Sequence, residues 1–247
     1  MKYFVITLFP STIDSYTNES ILGRAQNNKL IKTEAIQLRD FTKDKHRRTD
    51  GKVYGGGPGM VLWVDPIVNT FEKILKDILK KKENKKNILV VNFVPSANIF
   101  NNKLAQEYSK KYDYIIFVCG RYEGVDARVN LVLKDILSAK KKELKEKNIT
   151  LNFKIENTSI GDFVLTGGEL PALVMIDAIS RQIEGVLHDN ESLEENRIAS
   201  SDVYARPEIY ERRIGDKKNG KIKKYSVPKV LLSGNHKEIE NWRAENK

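Results

Sequence analysis

The stretch SIGDFVLTGGELPA at Ser159–Ala172 carries three glycines and runs directly into an apolar segment that begins with proline. Two further glycine-rich stretches occur in the chain, YGGGPGM at Tyr54–Met60 and CGRYEGVD at Cys119–Asp126. Glycine is the residue that turns sharply or allows close approach without a side-chain penalty. The three stretches therefore predict one site that is built from three loops.

The pattern of apolar residues indicates strands that alternate with helices, which predicts an α/β fold with a mostly parallel sheet. The stretches Cys119–Asp126 and Ser159–Ala172 each follow a strand-like run, so both are expected at the carboxyl ends of strands, where open α/β sheets bind ligands. Neither a P-loop nor a GxGxxG fingerprint is present. The predicted strands are Tyr3–Leu8, Ala35–Leu38, Ile88–Phe93 and Tyr114–Cys119, the helices are Thr12–Ala25, Pro66–Lys80, Asn101–Tyr112 and Pro171–Ile183, and Arg39–Val53 is a loop.

Length and composition are typical of a globular protein with one or two domains: 247 residues, of which 40% are hydrophobic and 31% are charged. No apolar run is long enough to span a membrane, and Pro10 interrupts the N-terminal apolar segment too early for a signal peptide. We therefore expect a cytoplasmic location and no membrane partner. The single cysteine, Cys119, ends an apolar run and is interpreted as a buried structural thiol, with no metal-ligand cluster around it.

The formal net charge of +10 favours a polyanionic partner, because clustered Lys and Arg bind phosphates by releasing counterions. Much of the lysine falls in the runs Lys76–Lys86, Lys140–Lys147 and Lys217–Lys224. Such runs are also typical of a solvated surface, so charge alone leaves nucleic-acid binding and a merely basic surface as equal alternatives.

The composition divides the chain into three parts. Residues 1–187 carry the predicted sheet, and residues 188–203 are polar and acidic, which is typical of a flexible linker. Residues 204–247 contain only scattered apolar positions and are expected to form a small basic module, too poor in apolar residues for a large core.

Four segments together resemble the bacterial tRNA (guanine-N1)-methyltransferases, the TrmD family of the SPOUT superfamily. They are RDFTKDKHRRTDGKVYGGGPGM (Arg39–Met60), VCGRYEGVDARV (Val118–Val129), SIGDFVLTGGELPALVMIDAISR (Ser159–Arg181) and VLLSGNH (Val230–His236). The resemblance implies a SPOUT-type α/β sheet with a deep trefoil knot and a small C-terminal helical module that binds tRNA. It also implies a homodimer with active sites at the subunit interface.

The same resemblance implies a reaction and its cofactors. A methyl group passes from S-adenosylmethionine to N1 of the guanosine immediately 3′ of the anticodon, and Mg²⁺ is an expected requirement. Arg121 is expected to pair with Glu123, Asp126 or a substrate carboxylate. The residues expected to bind the methyl donor are Phe93, Val94, Pro95, Gly120, Arg121, Tyr122, Glu123, Gly124, Ser159, Ile160, Gly161, Phe163, Leu165, Gly167, Gly168 and Pro171.

Methylation at N1 requires a base for the N1 proton and a donor for the charge that develops on the neighbouring oxygen. Arg181 matches the arginine that the family uses for catalysis. Asn196 stands where the family has an aspartate, and a neutral amide is not basic enough to accept the proton. We expect Glu195 to act as the substitute base, with Glu194 and Asp202 as alternatives.

Other departures from the family pattern leave a second functional class open. A lysine-rich insertion around Ser138–Lys154 is expected to stay outside the core, and together with Lys217–Lys224 it could reach tRNA phosphates. The chain ends at Lys247, where the family usually continues with further helices. The alternative to an active methyltransferase is therefore a catalytically impaired knotted protein that binds RNA or S-adenosylmethionine.

Overall fold

A computed structural model describes residues 1–187, 202–215 and 220–246 of the chain. The chain divides into two compact units, Met1–His188 and Asp189–Lys247. Most of the predicted linker at residues 188–203 lies outside the described residues, so the linker stays a prediction.

The first unit contains a five-stranded parallel sheet with the strand order β2-β1-β6-β5-β7. Its elements are β1 (Lys2–Thr7), α1 (Pro10–Thr17), α2 (Ser20–Asn27), β2 (Lys32–Gln37), a 3-10 turn (Leu38–Phe41), β3 (Asp50–Lys52), β4 (Met60–Leu62), α3 (Val64–Leu79), β5 (Lys85–Phe93), α4 (Asn102–Lys111), β6 (Tyr114–Val118), α5 (Arg128–Glu146), β7 (Thr150–Thr158) and α6 (Glu169–Ser180). The short strands β3 and β4 form a separate antiparallel pair. The predicted α/β class with a mostly parallel sheet is confirmed.

Helices cover both faces of this sheet, and each face has its own apolar core. Residues of α1, α2, α4 and α6 pack on one face, among them Ile13, Ala105 and Ile176. Residues of α3 and α5 pack on the other, among them Phe71 and Leu133. A parallel sheet buried on both sides favours apolar strands, and all five residues of the central strand β6 are buried.

The predicted helix Thr12–Ala25 is wrong as a single element, because α1 ends at Thr17 and α2 begins at Ser20. The backbone of Ser20 has φ of +50°, which lies outside the right-handed helical region and breaks the run. The apolar spacing continues across this break, so periodicity could not locate it.

The lysine-rich insertion contributes to the core, contrary to our expectation. It contains the end of α5 and most of β7, and β7 pairs with β5 from Thr150 to Thr158. Leu144 and Leu151 are buried in the core that α3 and α5 cover. The lysines lie on the outer side of an amphipathic helix. A count of charges does not distinguish the two sides of a helix, so it did not reveal the apolar stripe on the inner side.

Lys86 also departs from the expectation of a solvated lysine run, because its side chain is fully buried. Its ammonium group donates hydrogen bonds to the backbone oxygens of Lys81 and Glu83, at 2.9 Å each, and to the Glu83 carboxylate at 3.1 Å. A buried charge requires such partners. Lys86 therefore closes the connection between α3 and β5.

Replacing Lys86 with methionine is expected to lower the free energy of unfolding by about 2–3 kcal/mol, because the carbonyls of Lys81 and Glu83 lose a charged donor. The exposed neighbour Lys85 provides the matched control. Urea denaturation of Lys86→Met and Lys85→Met measures both. Equal stability of the two variants would contradict the assigned role of Lys86.

The second unit combines a β-hairpin with two helices, so the expectation of a helical module is only partly correct. Strands β8 (Ile209–Ile214) and β9 (Lys221–Ser226) form an antiparallel hairpin, followed by α7 (Lys229–Leu232) and α8 (His236–Glu245). Lysine and arginine occupy five of the twelve positions in the two strands and mask their alternation. No described residue of this unit is buried, as the low apolar content led us to expect. Among the described residues of the whole chain, no helix has the length and apolar character that crossing a membrane requires.

Candidate functional site

The loops that follow β5, β6 and β7 meet at the carboxyl edge of the sheet and enclose a cavity of about 630 Å³. All the residues expected to bind a methyl donor line this cavity. The sequence therefore located the residues that come together, and their role in binding a donor stays a prediction. Parallel strands place their following loops at the same edge, which explains why distant motifs converge here.

Backbone hydrogen bonds hold the loop after β7 between the other two. The Ser159 amide donates to the Asn98 oxygen at 3.0 Å, and the Phe100 amide donates to the Ser159 oxygen at 2.8 Å. On the other side, the Gly168 amide donates to the Gly120 oxygen at 3.0 Å. Main-chain hydrogen bonds therefore hold the three loops around the cavity in a fixed arrangement.

Gly168 is the point of closest approach between two of these loops. A Cβ atom at this position would lie 2.7 Å from the Cys119 Cα and 3.1 Å from the Gly120 nitrogen. The backbone of Gly168 has an ordinary φ of −82°. The requirement for glycine here is therefore one of space, because any side chain would meet backbone.

Arg121 is held in the cavity wall by a buried carboxylate. Its Nη2 lies 3.0 Å from Oε2 of Glu169, which is only 2% exposed, although no N–H of a described residue is aligned for a hydrogen bond to that oxygen. The hydroxyl of Thr7 donates to the other oxygen of Glu169 at 2.7 Å. Arg121 also donates to the Thr166 carbonyl at 3.3 Å, and its guanidinium lies 4.4 Å from the centre of the Phe9 ring. The arginine thus ties the loop after β6 to the start of α6.

Two of the three expected partners of Arg121, Glu123 and Asp126, were wrong, and a substrate carboxylate stays a prediction. Glu123 is exposed, and Asp126 pairs with Arg128 at 2.6 Å. Glu169 was not recognised as the partner because it lies in a later motif, and only the docking of α6 brings it to Arg121. Its position in the first turn of a helix is the signal that was available, since acidic residues are favoured there.

A row of three asparagine side chains also lines the cavity and was missed in the sequence. The Asn92 amide donates to Asn130, whose own amide donates to Asn157 at 3.2 Å. Asn92 Oδ1 is buried and accepts no hydrogen bond from a described residue. Asn92 and Asn157 are partners in the register of β5 and β7, so correct strand pairing would have revealed these two, whereas Asn130 comes from α5. These amides add uncharged polar groups to a wall that also contains apolar side chains, main chain and the charged Arg121.

The glycine-rich stretch Tyr54–Met60 does not line the cavity, so the prediction that all three stretches build one site is wrong for this stretch. It follows β3 and ends at the first residue of β4, and Tyr54 is almost fully exposed. The stretch adjoins the second loop instead, since the Glu123 amide donates to the Met60 oxygen at 3.0 Å. The third loop of the cavity is the segment after β5.

Arg181 lies away from the cavity, directly after the last residue of α6. The helix has 12 residues and begins beside the cavity, so its far end is about 18 Å away at 1.5 Å per residue. Arg181 is not among the residues that line the cavity. The expected base Glu195, its alternative Glu194 and Asn196 lie outside the described residues.

Cys119 is buried, as predicted from its apolar run. Burial is the main reason why the pKa of its thiol lies well above the usual range. In the part of the chain that the structure describes, no three His, Cys, Asp or Glu side chains group together as metal ligands.

Residues 1–247 match the family model described as tRNA (Guanine-1)-methyltransferase TrmD. Three curated relatives carry the name tRNA (guanine-N(1)-)-methyltransferase. The relative from Lachnoclostridium phytofermentans is 37% identical over 99% of this chain and 86% of its own length. Those from Caldicellulosiruptor saccharolyticus and Mycoplasma mycoides subsp. mycoides SC are 41% and 39% identical, over 98% and 99% of this chain and 84% and 86% of their own lengths. The chain belongs to the tRNA (guanine-1)-methyltransferase TrmD family.

Proposed function

We propose that the chain is a tRNA (guanine-N1)-methyltransferase that uses S-adenosylmethionine and acts on the guanosine immediately 3′ of the anticodon. The observation that carries the proposal is the cavity, which gathers every residue expected to bind the donor at the carboxyl edge of the sheet. Membership of the family and the names of the relatives support the same activity. Neither supports the alternative of a catalytically impaired binding protein.

The cavity suits S-adenosylmethionine in size and chemistry. Its volume of about 630 Å³ falls in the range of about 300–1,000 Å³ that is usual for small-molecule sites. Phe93, Pro95 and Leu165 supply apolar surface for the adenine, and the main chain at Ile160–Gly161 supplies polar groups beside it. Oδ1 of Asn92, which accepts no hydrogen bond from any residue that the structure describes, leaves an acceptor in the same wall. When bound, S-adenosylmethionine supplies a methyl group on a positively charged sulfur.

The chain's own residues supply the remaining chemistry. The Arg181 guanidinium donates to the guanine oxygen, where negative charge develops as the N1 proton leaves. The Glu195 carboxylate accepts that proton. Asn196 does not, because an uncharged amide has no sufficiently basic lone pair.

Two copies of the chain build each active site in this proposal. Arg181 lies about one helix length from the cavity of its own chain, so the cavity of one protomer would receive Arg181 from its partner. The outer side of α6 supports this arrangement, since its apolar residues Leu170 and Val174 are 55% and 47% exposed. Exposed apolar surface of this kind is typical of an interface.

The deep trefoil knot is part of the same proposal. The segment after β7 is hydrogen-bonded to the loop after β5 on one side and to the loop after β6 on the other. It leaves β7 after α5, which packs on one face of the sheet, and leads into α6, which packs on the other. A chain that passes between two loops in this way fits a threaded topology.

The remaining expectations extend the proposal beyond the first unit. Residues 188–203 act as a linker between the catalytic domain at 1–187 and a tRNA-binding module at 204–247, and the protein works in the cytoplasm, where its substrate is. The requirement for Mg²⁺ rests on the resemblance alone.

The first test is methyl transfer from labelled S-adenosylmethionine to an unmodified tRNA transcript, with 1-methylguanosine measured as the product. A transcript with adenosine in place of the guanosine after the anticodon is the control. We expect the wild-type chain to methylate only the first transcript, and Glu195→Gln to lose about 100-fold or more in rate, as removal of a general base does. The same assay measures the variants Asn196→Asp, Glu194→Gln and Asp202→Asn beside Glu195→Gln. An inactive wild-type chain would overturn the proposal, and full activity of Glu195→Gln would overturn the choice of base.

Mixing two inactive variants tests the shared site. Arg181→Ala removes the proposed donor to guanine, and Leu165→Glu places a charge in the donor cavity. Each homodimer is expected to be inactive, whereas refolding the two together is expected to restore about a quarter of wild-type activity, because half of the dimers are mixed and each has one intact site. Absence of any recovery would contradict a site built from two chains.

A further inference from the structure

The hairpin of the second unit has two faces of different chemistry. Residues opposite each other in an antiparallel pair share a face, and successive residues alternate. The register therefore defines a tyrosine face made of Tyr210, Arg212, Ile214, Lys221, Lys223 and Tyr225. It also defines a glutamate face made of Ile209, Glu211, Arg213, Ile222, Lys224 and Ser226.

The tyrosine face presents two neighbouring aromatic rings. Tyr210 and Tyr225 are directly opposite, with ring centres 6.4 Å apart and ring planes inclined at 38°. They stay 52% and 44% exposed, although they pack against each other. The ammonium group of Lys223 lies 5.1 Å from the centre of the Tyr225 ring. The rings thus form an exposed aromatic surface with a cation at its edge.

Charge separates the two faces further. The tyrosine face carries Arg212, Lys221 and Lys223 and no carboxylate. On the glutamate face, Lys224 is paired with Glu211. Among the described residues of the two strands, positive charge without a carboxylate is therefore concentrated on the same side as the paired rings.

We propose that the tyrosine face binds unpaired nucleotides of an RNA, with bases stacked on Tyr210 and Tyr225. Arg212, Lys221 and Lys223 neutralise the adjoining phosphates. Aromatic platforms bordered by Lys and Arg bind single strands because every base has a stacking face and every nucleotide carries a phosphate. An acidic protein would match the charges but would leave the two rings without a partner. The inference deepens the proposed function, since an unpaired segment of the substrate tRNA is the occupant.

The test measures binding of the full-length protein to a fluorescein-labelled 12-nucleotide single-stranded RNA by anisotropy at several salt concentrations. Tyr210→Val with Tyr225→Val removes the rings but keeps β-branched side chains, which suit a strand. We expect this double variant to bind the single strand about 10-fold or more weakly, because stacking contributes strongly per base. Tyr210→Phe with Tyr225→Phe is expected to bind like the wild type.

Lys223 and Lys224 are neighbours in the same strand, and substituting each of them in turn tests whether charge on the tyrosine face contributes to binding. Lys223→Gln, on the tyrosine face, is expected to weaken binding several-fold and to lower the salt slope by about one. Lys224→Gln, on the glutamate face, is expected to change neither. A 12-base-pair duplex with the same label is expected to be insensitive to the tyrosine substitutions, since its bases are already stacked on one another.

Three results would overturn the inference. The first is that Lys223→Gln and Lys224→Gln weaken RNA binding equally, and the second is that the valine double variant binds the single strand as the wild type does. The third is that polyglutamate displaces the labelled RNA as effectively as unlabelled RNA does. Methyl transfer to tRNA, measured in parallel, keeps the two proposals apart. If the wild-type chain methylates no tRNA but the valine double variant still loses single-strand binding, only the proposed function is overturned. If the wild-type chain methylates tRNA and the valine double variant binds the single strand as the wild type does, only the role of the tyrosine face is overturned.

Discussion

Replacing Gly168 with alanine is expected to weaken binding of S-adenosylmethionine about 100-fold and to lower the free energy of unfolding by about 1–3 kcal/mol. The added Cβ would lie 2.7 Å from the Cys119 Cα, which is backbone and cannot rotate away. The loop after β7 would therefore move outward, and the hydrogen bond from the Gly168 amide to the Gly120 oxygen would break. A displaced wall no longer places its main-chain groups around the donor.

Gly120→Ala provides the matched control for this prediction. A Cβ at Gly120 would approach Val125 only to 3.4 Å, which is ordinary van der Waals contact. We expect this variant to unfold at nearly the same Tm as the wild type, and isothermal titration calorimetry measures donor affinity for both variants. Wild-type affinity and stability in Gly168→Ala would show that the two loops are not in close contact.

Replacing Arg121 with alanine is expected to lower the free energy of unfolding by about 3–5 kcal/mol, because it leaves a buried carboxylate without its cation. Glu169 is 2% exposed and, among the described residues, would retain the hydroxyl of Thr7 as its one partner. The variant would also lose the hydrogen bond from Arg121 to Thr166 in the cavity wall. Donor binding should therefore fall together with stability.

Two further variants determine whether the buried charge is the cause. Arg121→Met with Glu169→Gln removes both charges and keeps an acceptor for Thr7, so it is expected to recover most of the stability. Arg128→Ala breaks the exposed pair with Asp126, where Arg128 is 67% exposed, and should leave the stability nearly unchanged because solvent screens the pair. Chemical denaturation measures all of them. Equal losses in Arg121→Ala and Arg128→Ala would refute the role of the buried pair.

Features that depend on neighbouring residues could be predicted from the sequence. The apolar run Tyr114–Cys119 indicated a buried strand, and the spacing of Ile67, Phe71, Ile74 and Ile78 indicated the helix α3, because periodicity reports which side of an element is buried. The motifs at Cys119–Asp126 and Ser159–Ala172 predicted the cavity residues, since the loops of parallel strands share one edge.

Features that depend on pairing between distant segments required the tertiary structure. Glu169 became the partner of Arg121 only through the docking of α6, and Asn92 met Asn157 only through the register of β5 and β7. Burial of Lys86 and of Leu151 likewise followed from how the chain closes on its sheet. By itself, the sequence determined the class of fold, the loops that form the site and the family. The tertiary structure decided which charges and amides are partners, because an ion pair or hydrogen bond depends on distance in space and local periodicity carries no information about that distance.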